Sequence, residues 1–255
     1  EIARLATEAP SNWPVRIGVY GGWGSGKTTV LEMVESHLDE QGHIAIRFNP
    51  WGYSAKAEMW AGLLVAIRSA LFKAGAHSES TTIGWARGRF AQLVGIGKAV
   101  AADLGAKESA ALVEDFLHGR IRPSPEELAR IAETAGGKRI VILVDDLDRT
   151  KPELVPELLH KFKEALDLPG FSVVLFLDPG VVGMALEEHH PAWGDAEHFL
   201  QKIVDFPRHL PEVREADLRR LILHEADRCP KVPREPLLGV LSLLSRNPRA
   251  ARGFM

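Results

Sequence analysis

Five short apolar runs punctuate the chain, and the three strongest end at glycine or aspartate. Residues 15–20 run into glycines, 140–144 into two aspartates and 172–177 into an Asp-Pro pair; weaker runs cover 44–48 and 202–206. Unbroken runs of β-branched and aliphatic residues are typical of strands that are buried on both faces. The pattern therefore predicts a parallel sheet whose strongest strands end at chemically distinctive residues.

Helical patterns separate the predicted strands. After Lys27, apolar residues recur every three or four positions, and Gly42 is a suitable stop. Two capping boxes, at 124–127 and 150–153, predict helix starts, and the second helix is expected to run to about Leu166. Strands that alternate with helices indicate βαβ units. The predicted fold class is therefore α/β, a three-layer sandwich around a mainly parallel sheet.

The pattern divides the chain into a core and a helical appendage. Residues 1–210 contain the strands, whereas 211–255 show helical periodicity alone and are expected to form a C-terminal helical subdomain, a lid on the core. Within the core, residues from about 75 to 122 separate the second and third strands by far more than one crossover helix needs. Apolar spacing is helical there, so we expect a helical insertion.

Composition places the chain among ordinary globular proteins. Of its 255 residues 45% are apolar and 25% charged, and the formal net charge of −3 gives no nucleic-acid signal. The single cysteine, Cys229, excludes a disulfide framework and a cysteine-based metal site and favours a reducing, cytoplasmic location. No apolar stretch approaches the roughly 18 residues of a transmembrane segment. The chain opens on Glu1 rather than Met, so whether it is an excerpt of a longer protein stays open from the sequence.

Residues 21–28 read Gly-Gly-Trp-Gly-Ser-Gly-Lys-Thr, which matches the P-loop pattern G-x-x-x-x-G-K-[ST]. Phosphate oxygens need converging N–H donors, and glycines let the backbone wrap tightly ahead of a helix N-terminus. Lys27 would reach the β- and γ-phosphates, and Thr28 would place its hydroxyl on Mg²⁺. The predicted cofactors are therefore ATP and Mg²⁺; the competing interpretation is a glycine-rich turn with a solvated lysine. The predicted nucleotide-binding residues are Gly21, Gly22, Trp23, Gly24, Ser25, Gly26, Lys27, Thr28 and Thr29.

The third predicted strand ends in a cluster of acidic residues. A carboxylate at the tip of a strand beside the P-loop can hold Mg²⁺ through water, so Asp145 is expected to bind metal together with Thr28. Asp146 is the expected activator of the water that attacks the γ-phosphate, and Asp148 is an alternative orienter. The competing interpretation is that these acids cap the following helix, although a capping box is already predicted there.

Two further residues complete the predicted catalytic set with Asp146. Asp178 ends the fourth strand, where it would sense the γ-phosphate or bind the attacking water; a turn-forming aspartate before proline is the competing interpretation. Arg149 adjoins the acidic cluster and would neutralise charge in the transition state. Alternative arginines lie in the helical tail, and for all of them a solvated or salt-bridged role competes. The alternatives are Arg246, Arg249 and Arg252.

Together the motifs resemble the KAP family of P-loop NTPases. The matching strings are the P-loop with its tryptophan, Phe-Asn-Pro-Trp, Asp-Asp-Leu-Asp-Arg, Phe-Leu-Asp and Asn-Pro-Arg, at 20–28, 48–51, 145–149, 176–178 and 247–249. The resemblance covers nearly the whole chain and implies an ATPase core with strand order 5-1-4-3-2 and a helical C-terminal bundle. It also implies a soluble bacterial member of a family that is associated with phage exclusion and defence.

The two tryptophans of these motifs have different interpretations. Trp51 is interpreted as core packing rather than a base-stacking platform, and Trp23 lies where either the nucleotide or a partner would contact it.

Hypotheses from different functional classes remain open. The first is an Mg²⁺-dependent ATPase whose hydrolysis drives a conformational change in an attached or partner protein, with protein partners or self-oligomers expected. The second is a nucleotide-gated binding module that holds ATP to organise partners and turns over little. A small-molecule kinase is a third hypothesis, for which no separate acceptor site is visible in the sequence.

Overall fold

Six stretches of the chain are described by the computed structural model: residues 1–10, 13–53, 138–165, 170–189, 195–212 and 214–228, with isolated positions between 59 and 70. The strands are β1 (Val15–Tyr20), β2 (Ile44–Phe48), β3 (Ile140–Val144), β4 (Phe171–Leu177) and β5 (Phe206–His209). The α-helices are α1 (Ile2–Glu8), α2 (Lys27–Glu40), α3 (Val155–Ala165), α4 (Pro179–His189), α5 (Ala196–Leu200) and α6 (Glu215–Arg228). Short 3₁₀ turns cover Pro50–Gly52, Leu147–Arg149 and Pro152–Leu154.

The five strands form one parallel sheet in the order β2-β3-β4-β1-β5. From the other edge this order is 5-1-4-3-2, so the predicted order and the α/β fold class are confirmed. β1 lies between β4 and β5, and its last residue, Tyr20, pairs with Leu177 and His209. The P-loop therefore leaves the carboxyl edge of the sheet beside the end of β4, which is where α/β folds place their ligands.

Alternating side chains of the central strands enter two hydrophobic cores, one on each face of the sheet. The first core joins α1 and α2 to the sheet and includes Val141 and Leu143 of β3. The second joins α3, α4 and α5 to the other face and includes Ile140, Ile142 and Val144. Successive residues of a strand point to opposite faces, so a strand covered on both sides is apolar throughout. The predicted three-layer arrangement is confirmed.

The predicted position of the fifth strand is wrong. The apolar run at 202–206 mostly precedes the strand, which starts at Phe206. Ile203 and Val204 are buried, and their N–H groups donate to the carbonyl of Leu200 in a turn that follows α5. Their apolar character therefore serves core packing, and pairing with β1 begins only after this turn.

The capping box predicted at 150–153 is also wrong, whereas the helix end at Gly42 is confirmed. Lys151 is the N-cap of the 3₁₀ turn that leads into α3, with no side-chain cap. The Thr150 hydroxyl instead donates to the Asp146 carbonyl, at 3.3 Å, because Thr150 closes the preceding 3₁₀ turn. Gly42 follows α2 with a φ of 75°, the left-handed conformation expected of a helix stop.

Several predictions fall outside the described residues. They concern the helix start at 124–127, the insertion at about 75–122, the distal part of the C-terminal subdomain and the three arginines there. α6 confirms the first helix expected after residue 210, while the division into 1–210 and 211–255 stays a prediction. Among the described residues, none of the helices combines the length and apolarity that crossing a bilayer requires.

Candidate phosphate-binding site

The loop between β1 and α2 takes the backbone conformations that glycine permits. Gly24 and Gly26 have φ values of 75° and 100°, and Gly26 is the N-cap of α2. Side chains with a Cβ rarely adopt these angles, which explains the residue type at both positions. α2 starts at Lys27, and the first N–H groups of a helix have no partner within it. The fold thus presents backbone donors and a positive helix end at this point.

A cavity of about 230 Å³ lies between this loop and the segment that follows β3. The two segments meet there because β4 alone separates β1 from β3 in the sheet. The lining residues are Gly22, Trp23, Gly24, Gly26, Lys27, Thr28, Thr29, Asp145, Asp146, Asp148 and Arg149. Gly21, Ser25 and Asp178 were also predicted from the sequence and are not among them.

Gly21 and Ser25 lie in the framework of the loop. The Gly21 carbonyl accepts a hydrogen bond from Lys27 Nζ at 2.8 Å, and its N–H donates to the Leu177 carbonyl at 3.2 Å. Ser25 Oγ is buried without a hydrogen-bond partner among the described residues. The loop is therefore attached to the end of β4 through its backbone.

Lys27 is paired within the protein. Its ammonium lies 3.1 Å from Asp148 Oδ2 and donates to the carbonyls of Gly21 and Gly22 at 2.8 and 3.3 Å. The side chains of Lys27 and Asp148 are only 11% and 7% exposed. An arriving phosphate would therefore compete with Asp148 for the ammonium, or share it. The sequence offered Asp148 only as an alternative orienter of water, and nothing in the pattern indicated this pair.

Asp145 and Thr28 border the cavity from opposite segments. Asp145 is almost fully buried; its Oδ1 accepts the N–H of Asp146 at 3.0 Å, and its Oδ2 lies 3.6 Å from Arg47. Thr28 occupies the exposed first turn of α2. A carboxylate and a hydroxyl are hard oxygen donors of the kind that Mg²⁺ prefers, so the residues present fit the predicted metal. Arg47, which the sequence did not single out, fixes the orientation of the carboxylate.

Asp146 combines an unusual backbone conformation with two side-chain partners. Its φ of 55° is the only positive value at a non-glycine residue in the described part of the chain. Its Oδ1 lies 3.0 Å from Arg149 Nε, and its Oδ2 accepts a hydrogen bond from Asn49 Nδ2 at 3.0 Å. Strained conformations of this kind cluster at functional sites. Asn49 entered the sequence analysis only as part of a family motif.

Arg149 lies close to two exposed tryptophans. Its guanidinium carbon is 4.3 Å from the ring centre of Trp23 and 5.5 Å from that of Trp51. Both indoles are 58% exposed. The interpretation of Trp51 as core packing is therefore wrong: Pro50 is buried at the start of its 3₁₀ turn, and the turn directs Trp51 outward.

Asp178 adjoins the loop but not the cavity. Its Oδ1 accepts the N–H of Gly180 at 3.0 Å, the geometry of the turn-forming interpretation. Its Oδ2 faces Gly22, where a Cβ would lie 3.7 Å away. A role for Asp178 in sensing phosphate stays a prediction.

Two of the solved structures that resemble this chain are similar to it over nearly its whole length. The Aeropyrum pernix ORC2 protein in its ADP form is 13% identical, with a TM-score of 0.46 over 98% of this chain and 57% of that one. The Walker-type ATPase PABY2304 of Pyrococcus abyssi is 14% identical, with a TM-score of 0.48 over 95% of this chain and 61% of that one. Similarity at this level does not bear on function.

Sequence comparisons give the family. The phage T7 exclusion protein of Escherichia coli (strain K12) is 24% identical over 242 residues, which cover 83% of this chain and 32% of that protein. This chain thus spans about a third of the length of that relative. The family model for the KAP family P-loop domain matches residues 2–237, nearly the whole chain. With the loop, the acidic segment and the sheet order in place, the chain belongs to the KAP family of P-loop NTPases.

Proposed function

We propose that this chain binds ATP with Mg²⁺ and hydrolyses it, and that hydrolysis drives a conformational change in an attached or partner protein. The supporting observation is the lining of one cavity, where Lys27 and the first turn of α2 face Asp145 and Asp146. Backbone donors and an ammonium bind a polyphosphate, while carboxylates serve metal binding and water activation. An anion site alone would not need the second set.

Each residue has a role that follows from its position. The backbone of the loop and Lys27 bind the phosphate tail. Lys27 gives up all or part of its contact with Asp148 in exchange for the phosphate. Thr28 and Asp145 would hold Mg²⁺, which when bound neutralises charge on the β- and γ-phosphates. Asp146 accepts a proton from the attacking water. The water oxygen bonds to the γ-phosphorus as the bond between that phosphorus and the ADP oxygen breaks. Arg149 neutralises the charge that develops on the transferred group.

A second candidate, a nucleotide-gated module with little turnover, is favoured by one observation. Both carboxylate oxygens of Asp146 already have partners, Arg149 and Asn49. If these contacts persist when nucleotide binds, Asp146 is withheld from water and ATP serves only to organise partners. Specific activity that rises with protein concentration would favour an enzyme with shared sites; negligible activity at every concentration would favour the module.

The biological process is proposed from the relative and not from the site. The family match and the phage T7 exclusion protein support a role in phage defence. A plating assay with the full-length protein would test this role. We expect the parent protein to reduce plaque formation and Lys27→Ala to abolish the reduction; equal protection by both would separate defence from nucleotide binding.

Single-turnover phosphate release tests the enzymatic proposal. With ATP bound to excess protein and Mg²⁺ present, we expect Asp146→Asn to slow release by about 100-fold or more, since general bases contribute about 10²–10⁴. ATP affinity should stay within a few-fold of the parent value. Asp39→Asn, which alters an exposed carboxylate at the far end of α2, is the matched control and should release phosphate at the parent rate. Undiminished release by Asp146→Asn would remove Asp146 from the mechanism.

A further inference from the structure

Three side chains from three separate segments meet at the cavity: Trp23 and Arg149 line it, and Trp51 lies beside Arg149. Trp23 comes from the P-loop, Trp51 from the 3₁₀ turn after β2, and Arg149 from the 3₁₀ turn after β3. The guanidinium of Arg149 is within 4.3 and 5.5 Å of the two ring centres. We refer to this group as the indole clamp.

Burial does not account for the two indoles. Each remains 58% exposed, although a tryptophan in a core or a tight interface would be largely covered. A planar guanidinium stacks on an aromatic face and gains a cation–π attraction there, which a lysine ammonium would not reproduce with the same geometry. The Arg149 side chain is 28% exposed, whereas each tryptophan residue is 58% exposed. The clamp therefore covers the arginine rather than the tryptophans.

Asp146, which lines the cavity, also orients Arg149. Its Nε is 3.0 Å from Asp146 Oδ1. A guanidinium that meets one anion through Nε retains terminal amino groups as donors for another, because its five N–H groups form a fixed fork. Both Arg149 and Trp23 line the cavity that is proposed to bind the phosphate tail. The clamp thus holds a pre-oriented donor at this cavity.

Asn49 links the clamp to the proposed base. Its Oδ1 accepts the N–H of Trp51 at 3.0 Å, and its Nδ2 donates to Asp146 Oδ2 at 3.0 Å. Asn49 therefore holds the turn that carries Trp51 at a fixed position relative to Asp146. One short segment after β2 reaches both the carboxylate and the arginine of the site.

We propose that Trp23 and Trp51 are positioning residues, which hold the Arg149 guanidinium where it stabilises the transferring phosphoryl group. The inference rests on the proposed function, and it replaces the roles that the sequence suggested, nucleotide contact for Trp23 and core packing for Trp51. An unrestrained arginine samples many rotamers, and ordering it during the reaction costs conformational entropy. Contact with both rings restricts that freedom before nucleotide arrives, so the benefit appears in the transition state and not in substrate binding.

A double-mutant cycle tests the clamp. At saturating ATP, Trp23→Ala and Trp51→Ala should each lower kcat by about 3- to 30-fold, the range expected for a cation–π contact, with KM within about two-fold of the parent value. Trp23→Phe and Trp51→Phe retain an aromatic face and should recover most of the rate. Combining Trp23→Ala with Arg149→Ala should be no worse than Arg149→Ala alone. Trp13→Ala removes a similarly exposed tryptophan, 64% against 58%, before β1 and should leave the rate unchanged.

Affinity for ADP with aluminium fluoride gives a readout that needs no turnover. This complex mimics the transferring phosphoryl group. Trp23→Ala should therefore weaken the affinity for ADP with aluminium fluoride by about 3- to 30-fold, as for kcat, and leave the affinity for ADP alone unchanged. Multiplicative effects of Trp23→Ala and Arg149→Ala, or equal loss of ADP and ADP-fluoride affinity, would overturn the clamp. So would parent-like kcat in Arg149→Ala, although ATP hydrolysis itself would then stand. The parent protein could release no phosphate while Trp23→Ala still weakens binding of ADP with fluoride and leaves binding of ADP alone unchanged. That result would refute hydrolysis and retain the clamp.

Discussion

Replacing Lys27 by methionine should destabilise the protein as well as weaken nucleotide binding. Lys27→Met keeps most of the side-chain volume but leaves the Asp148 carboxylate, only 7% exposed, without its cation. Removal of one partner from a buried ion pair leaves an uncompensated charge. A loss of nucleotide binding in this variant would therefore mix two causes, and the structure supplies the means to separate them.

The magnitude follows from the geometry of the pair. At the observed 3.1 Å, two unit charges attract by about 5 kcal/mol with an effective dielectric constant near 20, before desolvation is subtracted. Breaking such a pair costs about 3 kcal/mol in practice. For a chain of this size that loss lowers Tm by roughly 6–12 °C. The lost phosphate contact is charge-assisted and should weaken ATP affinity by about 10- to 150-fold.

Thermal unfolding and calorimetric titration of four proteins separate the effects. Lys27→Met combined with Asp148→Leu removes both charges and should recover most of the Tm while ATP affinity stays low. Asp148→Leu alone should be as destabilised as Lys27→Met yet retain ATP affinity, because the ammonium remains. The reasoning is refuted if Lys27→Met melts with the parent protein, or if the double variant regains affinity along with stability.

Two further predictions concern stability away from the cavity. Arg139 is buried and donates to the carbonyls of Ala9, Pro10 and Trp13 at 2.7–2.9 Å. Arg139→Ala should therefore lower the free energy of unfolding by about 3 kcal/mol. Arg4→Ala, at an exposed arginine, is the control, and equal Tm values for the two variants would contradict the prediction. Burial, reinforced by Arg139 and Lys138, lowers the pKa of His43 below its usual 6.5. The unfolded chain then binds the proton first, so stability should fall as pH drops through 6.5 towards the folded pKa. Urea unfolding at pH 7.5 and 5.5 should show a smaller loss for His43→Gln, and an equal loss would contradict the assignment.

The strand order was predicted through the family resemblance, whereas the features predicted directly from the residues are those that one segment alone specifies. Gly24 and Gly26 are visible because only glycine takes their backbone angles, and the helix stop at Gly42 follows for the same reason. Strand β3 is visible because a strand between two cores must be apolar throughout. Such requirements act on neighbouring residues, so a pattern in the chain records them.

The features missed depend on how distant segments face each other. Asn49 and Asp146 are 97 residues apart, and no local pattern indicates that their side chains meet. The sequence interpretation of Trp51 is core packing, but the 3₁₀ turn buries Pro50 and leaves Trp51 exposed. Likewise Ile203 has a side chain that is typical of strands, but it lies in a turn that packs on the core. Side-chain direction, rather than residue type, decided each case.

The central claim is that the phosphate chain of the nucleotide, and not its base, is what the loop before α2 binds. Calorimetric titration of the parent protein with ATP, ADP and AMP, each with Mg²⁺, tests it directly. We expect one site per chain, with ATP and ADP bound and AMP weaker by about 100-fold or more, because AMP lacks the phosphates that meet the loop and Lys27. AMP bound as tightly as ATP would contradict the claim.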